Sequence, residues 1–138
     1  MLVVMDTRCL RRPITADLGG QIVSLVTIGH VAAALHRETW TIRNWTDLGL
    51  FPKAPVILET GLNCTRRTLY PVPFVDQLCV IGNRAYMGRR MDREHWDRFY
   101  ADVMAAHALY VAPLLPAGVT DGLLISPSDL RDGRLTTA

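Results

Sequence analysis

From residue 27 onward, apolar side chains recur mostly at helical spacing, interrupted by a stretch of extended character. Ile28, Val31, Ala32 and Leu35 stand at i, i+3, i+4 and i+7, one face of a short helix, with Thr27 placed as its N-cap. A tight break at His36-Arg37-Glu38 leads to a second helix, from Thr39 to Leu48, with Ile42, Trp45 and Leu48 as its apolar stripe. Gly49 stops it, because a residue without Cβ enters the left-handed conformation that ends helices. The period then changes. Val56-Ile57-Leu58 and the return from Cys64 to Tyr70 flank a polar tip, which predicts a β-hairpin. Pro73 suits the first turn of a third helix that buries Phe74, Val75, Leu78 and Ile81, with Cys79 also placed in its core. The longest helical signal, from Asp92 to about Tyr110, carries Trp96, Phe99, Tyr100, Val103, His107 and Tyr110 at three- and four-residue spacing.

The two ends are less periodic. Residues 1–26 read as an arm broken by Pro13 and Gly19-Gly20, in which Gln21 to Val26 is a short apolar run, either strand or helix lead-in. Residues 113–138 read as an extended or mobile tail. The expected fold is therefore mainly α with a small β-hairpin wing: a winged helix-turn-helix plus a long C-terminal helix. The expected division is an arm over 1–26, a winged-helix unit over 27–90, a helix for packing or dimerisation over 91–112, and the tail.

Composition narrows the class. At 138 residues, 49% hydrophobic and 20% charged, the chain suits one globular domain and is too apolar to be wholly disordered. No apolar run is long enough to span a membrane, and the start lacks the basic-then-apolar pattern of a signal peptide. Cys9, Cys64 and Cys79 fit neither a disulfide framework nor a metal knuckle, so a cytoplasmic location is expected. The net charge of +2 hides an asymmetry: residues 27–90 carry +4 and residues 91–138 carry −3. The middle of the chain is thus suited to face a polyanion. All its cations but Lys53 are arginines, whose planar fork fits phosphate and guanine edges, although a GC-rich genome produces the same bias.

Two stretches carry a resemblance. Thr27-Ile28-Gly29-His30-Val31-Ala32-Ala33-Ala34-Leu35, followed by Thr41-Ile42-Arg43-Asn44-Trp45-Thr46-Asp47-Leu48-Gly49-Leu50-Phe51-Pro52, is similar to the DNA-binding domain of the MerR family. That family begins a short helix near an Ile-Gly pair. It continues with Thr-Leu/Ile-Arg-x-Tyr/Trp, a later Gly-Leu and a nearby proline, then a wing with arginines ahead of a tyrosine, matched here by Arg66, Arg67 and Tyr70. The similarity covers roughly residues 27–82. Thr46 replaces an acidic residue, His30 stands where glutamate is common, and Arg37 and Glu38 replace the usual turn residues. The chain after residue 91 has neither a cysteine cluster nor the length of a drug-binding domain, so no small-molecule ligand is expected.

The resemblance implies a sequence-specific double-stranded-DNA-binding protein acting as a transcription regulator. Related winged helices in phage excisionases and terminase small subunits, or a protein-interaction module, are the alternatives. The helix from Thr39 to Leu48 would enter the major groove with Trp40, Thr41, Arg43 and Asn44 outward. Arg43 can fork onto phosphate or guanine, and Asn44 can pair with adenine. Trp40 either packs on sugar or a thymine methyl, or plugs a hydrophobic gap. Arg66 and Arg67 would reach flanking phosphates or the minor groove, one of them facing DNA, with Lys53 and Thr68 as secondary phosphate contacts. Arg84, Arg89 and Arg90 would extend the footprint or solubilise a linker. The stripe over 92–110 would pack back on the domain or form a homodimer seam.

Catalysis has little support in the sequence. His30, His36, His95 and His107 are dispersed, there is no metal-ligand spacing, and no glycine-rich phosphate loop occurs. The acids Asp92, Glu94, Asp97 and Asp102 at the start of the long helix suit its dipole. Neither an enzyme activity, a metal nor a cofactor is expected.

Overall fold

A computed structural model describes residues 13–59, 66–88, 90–116 and 122–131. Strand β1 (Ile14–Leu18) and strand β2 (Gln21–Thr27) form a hairpin, closed by Gly19 and Gly20 with φ of +65° and +93°. Positive φ at both central residues is the two-residue turn whose twist matches that of the paired strands. The Gly20 amide also donates to Asp17 Oδ1 at 2.6 Å. Thr27 ends β2 and serves as N-cap of helix α1 (Ile28–Ala34), without a side-chain capping bond. Helix α2 (Thr39–Asp47) follows a turn in which His36 takes φ +58°. Gly49, at φ +80°, terminates it.

Strand β3 (Val56–Glu59) pairs antiparallel with β4 (Arg66–Pro71), and β4 runs directly into helix α3 (Val72–Gly82), with Pro73 in its first turn. Helix α4 (Arg93–Tyr110) is capped by Asp92, whose carboxylate accepts from the His95 amide at 2.9 Å. Short 3-10 turns at Ala112–Leu114 and Pro127–Asp129 bracket strand β5 (Leu123–Ile125).

The strands form one mixed sheet in the order β1-β2-β4-β3-β5, with β5 parallel to β3 and the other pairs antiparallel. Leu130, just past β5, bridges Ala16 on the opposite edge, and the Arg131 amide donates to the Thr15 carbonyl at 2.8 Å. The Arg131 guanidinium also pairs with Asp17. The sheet therefore curls until its two edges are tied, around an interior of Ile14, Ala16, Leu18, Val23, Leu25, Val56, Leu58, Leu69, Ile125 and Leu130.

This overturns the expectation of a mainly α fold with a small hairpin wing. The architecture is α/β, a five-stranded mixed sheet with four α-helices among the described residues. The hairpin β3–β4 exists, but as the centre of that sheet. The stretches read as arm and tail supply its outer strands, because the Ile14–Leu18 segment alternates buried and half-buried side chains and Gly19-Gly20 is a hairpin turn rather than a breaker. Leu123–Ile125 is too short for its own sequence to mark it as a strand; pairing with β3 makes it one.

The other face of the sheet carries the helices. Val26 and Tyr70 join α1, α2, α3 and α4 in a second core. Trp45, on the inner side of α2, meets Trp96 and Phe99 of α4 edge-on, at centroid distances of 5.0 and 5.4 Å. The α4 stripe thus packs back on its own chain through Phe99, Val103 and Ala106, while Tyr100, expected in the stripe, turns outward next to Phe99 and is exposed. Arg37 lies over the Trp45 ring and donates to the Gly88 carbonyl at 2.9 Å, so the unusual arginine in the helical turn locks the helix pair to the 84–88 segment. Cys79, expected inside, is exposed: α3 buries Phe74, Val75, Leu78 and Ile81, and the next residue turns about 100° outward.

Candidate nucleic-acid interface

Helix α2 owes its position to Ile42 and Trp45, which are buried against the helical core, and its outer side follows from that anchoring. At about 100° per residue, the positions opposite those two are 40, 43, 44 and 47, and Leu48, expected in the apolar stripe, is the C-cap and stands exposed because the helix ends before it. Trp40, Arg43, Asn44, Asp47 and Leu48 are all exposed. Trp40 is 67% exposed, which excludes the gap-filling reading. Thr41 is half-buried on the flank, and the Thr46 hydroxyl donates to the Ile42 carbonyl at 2.8 Å within the helix.

The hairpin faces this helix across two adjoining clefts of about 390 and 370 Å3. Ile28, Arg43 and Thr68 line both. Lys53, Tyr70, Thr46 and Asp47 line the first with Ala54 and Ile57, while Arg66, Arg67 and Thr27 complete the second. Strand parity accounts for the cleft residues of β4 other than Arg67, which lines the second cleft from the opposite face. Arg66, Thr68 and Tyr70 share one face of β4, and Tyr70 belongs to the helical core; Arg67 shares the other face with Leu69, which lines the interior of the curled sheet. Arg66 pairs across the hairpin with Glu59, Nε to Oε2 at 3.0 Å, so part of its charge is answered within the chain.

Tyr70 is the floor of the first cleft. Burial pushes its phenol up to about 12, against the charge of Arg43 and a hydrogen bond with Thr68, both of which pull it down. Arg43 therefore lies close enough to the hairpin for its charge to act on that phenol. Beyond the clefts, burial and a hydrogen bond to Asp102 raise the Tyr86 phenol further, with Arg98 over its ring.

The structure thus brings five of the eight sequence-nominated residues, Arg43, Lys53, Arg66, Arg67 and Thr68, to one cleft system, and leaves Trp40, Thr41 and Asn44 on α2 beyond it. Arg84 and Arg90 are exposed and line neither cleft, and Arg89 lies outside the described residues, as do Cys9, Cys64 and the hairpin tip at 60–65. Tyr70, Thr46 and Asp47 were not nominated. The alternation 66, 68, 70 is the signal that places Tyr70 with the site. Among the described residues, no three His, Cys, Asp or Glu side chains gather as a metal site requires. Nor is any helix there long and apolar enough to cross a membrane.

Comparison with known proteins finds no matching family model, no similar curated protein and no similar solved structure.

Proposed function

We propose that the protein binds double-stranded DNA sequence-specifically and acts as a transcription regulator, with α2 in the major groove and the β3–β4 hairpin on the neighbouring backbone. The observation that carries this reading is the placement of Arg43, Lys53, Arg66, Arg67 and Thr68 along two adjoining clefts beside an outward-facing α2. An exposed helix flank gives side chains access to base edges, and cations at its side neutralise phosphates without reading sequence. The MerR-like sequence of the helix pair supports the same reading, here embedded in a larger mixed sheet. Helix α4 and the 84–88 segment serve as scaffold: they fix the helix pair from behind, through Trp45 and Arg37, and leave its outer side open.

The test is selection of duplexes from fragmented genomic DNA, followed by salt titration of the winning sequence against a scrambled one. The expected result is preference for the selected duplex, with log affinity falling linearly with log salt. Equal, salt-insensitive binding to both, or none to either, refutes the proposal.

A further inference from the structure

The clefts distinguish residues that sequence alone leaves equivalent. Trp40, Arg43 and Asn44 all stand on the outer side of α2, but they leave the helix in different directions. Taking Trp40 as reference, Asn44 is displaced by about 40° to one side and Arg43 by about 60° to the other. Arg43's side is the hairpin's. It lines both clefts together with Thr68, and its charge acts on the buried Tyr70 phenol, whereas Trp40 and Asn44 line neither cleft. Lys53 lines the first cleft and Arg66 and Arg67 the second, so an anion meets Arg43 together with the loop cation in one and with the hairpin cations in the other.

A duplex seated on α2 offers two kinds of group. Base edges lie straight ahead of the helix, and sugar-phosphate lies at its flanks. A guanidinium turned into a cleft beside the helix meets the flank.

We propose that α2 divides its work: Arg43 clamps a DNA backbone phosphate against Thr68 and the hairpin cations, while Asn44 and Trp40 set base specificity. This rests on the DNA-binding reading above. Asn44 supplies the paired donor and acceptor that match an adenine edge. Trp40, exposed in the first turn of α2, offers an apolar plane to a thymine methyl or a deoxyribose. Asp47, an acid at the far end of α2, lines the adjoining first cleft with Arg43, where its charge limits binding to arbitrary duplexes.

The experiment uses the full chain, the duplex recovered by selection and a scrambled duplex of the same composition. Arg43, Asn44 and Trp40 are exposed, and circular dichroism checks that their variants fold. Arg43→Ala is expected to weaken both duplexes by the same factor, about tenfold, and to flatten the salt slope by about one. Arg43→Lys keeps most of the affinity, since a phosphate accepts a point charge where a guanine edge needs the fork. Asn44→Ala is expected to cut the selected-to-scrambled ratio by about 5- to 100-fold with scrambled binding unchanged. Trp40→Ala lowers the same ratio, and replacing thymine by uracil in the selected duplex tells a methyl contact from a sugar contact. Should Arg43→Ala abolish discrimination while scrambled binding stays at the parental level, the division is overturned and DNA binding stands. A parent protein that binds neither duplex overturns both.

Discussion

Gly82 is where a single added methyl group tests how the helix pair is held. It is the last residue of α3, at the crossing with α1, and a Cβ placed there would lie 2.2 Å from the Ala34 carbonyl oxygen and 3.1 Å from the Leu35 Cα. Both neighbours are backbone, so no rotamer change relieves the contact; α1 and α3 must separate by about 1 Å to restore van der Waals spacing. Overpacking of this kind costs about 1–3 kcal/mol. Alanine recovers about 0.5–1 kcal/mol relative to glycine in a helix. At 2.2 Å from rigid backbone the upper half of that range applies, about 2–3 kcal/mol, so the expected net loss for Gly82→Ala is about 1–2.5 kcal/mol, a fall in Tm of about 3–10 °C for a chain of this size. Thermal and urea unfolding followed by circular dichroism measure it. Gly88→Ala is the control, because a Cβ there meets nothing within 4 Å. An unchanged or higher Tm in Gly82→Ala means that helix propensity governs the site, and the close α1–α3 contact is refuted. The same variant is expected to weaken binding to the selected duplex, since α1 and the turn after it position α2.

Other perturbations separate the remaining parts of the structure. Phe99 is fully buried against Trp45, Trp96 and Phe51, so Phe99→Ala is expected to cost about 3–5 kcal/mol in urea unfolding, with a midpoint independent of protein concentration. A concentration-dependent midpoint would show that the α4 stripe holds a second copy instead. Burial beside Phe74 lowers the His107 pKa below the usual histidine value, so the unfolded chain binds a proton more readily than the folded one. Stability contributed here is therefore lost as pH falls through about 6.5. Tm measured from pH 7.5 to 5 is expected to fall less in His107→Gln than in the parent, and identical slopes would contradict the assignment. Asp47→Asn is expected to raise affinity for scrambled DNA about two- to fivefold in fluorescence anisotropy, by removing an acid from the cleft that adjoins the proposed phosphate clamp. No gain would place the duplex elsewhere.

Periodicity and local chemistry were enough to locate the four helices and the β3–β4 hairpin, and to separate buried Ile42 and Trp45 from exposed Arg43 and Asn44. Those features depend on neighbours a few residues apart, which is the range over which helical spacing, capping and a stop at Gly49 act. The cations of the site were legible for the same reason, as residue types at the right offsets. Five strands in one curled sheet were not. Ile14–Leu18 and Leu123–Ile125 have no stability as isolated strands; they exist because β2 and β3 offer them hydrogen-bonding edges, and because Leu130 and Arg131 return to β1 from more than a hundred residues away. Contacts that distant leave no periodic trace in either segment. The direction of Arg43 and the cleft that forms over Tyr70 belong to the same category. Each depends on α2 and β4 meeting, and that meeting is a consequence of the packed core rather than of any stretch of chain read alone.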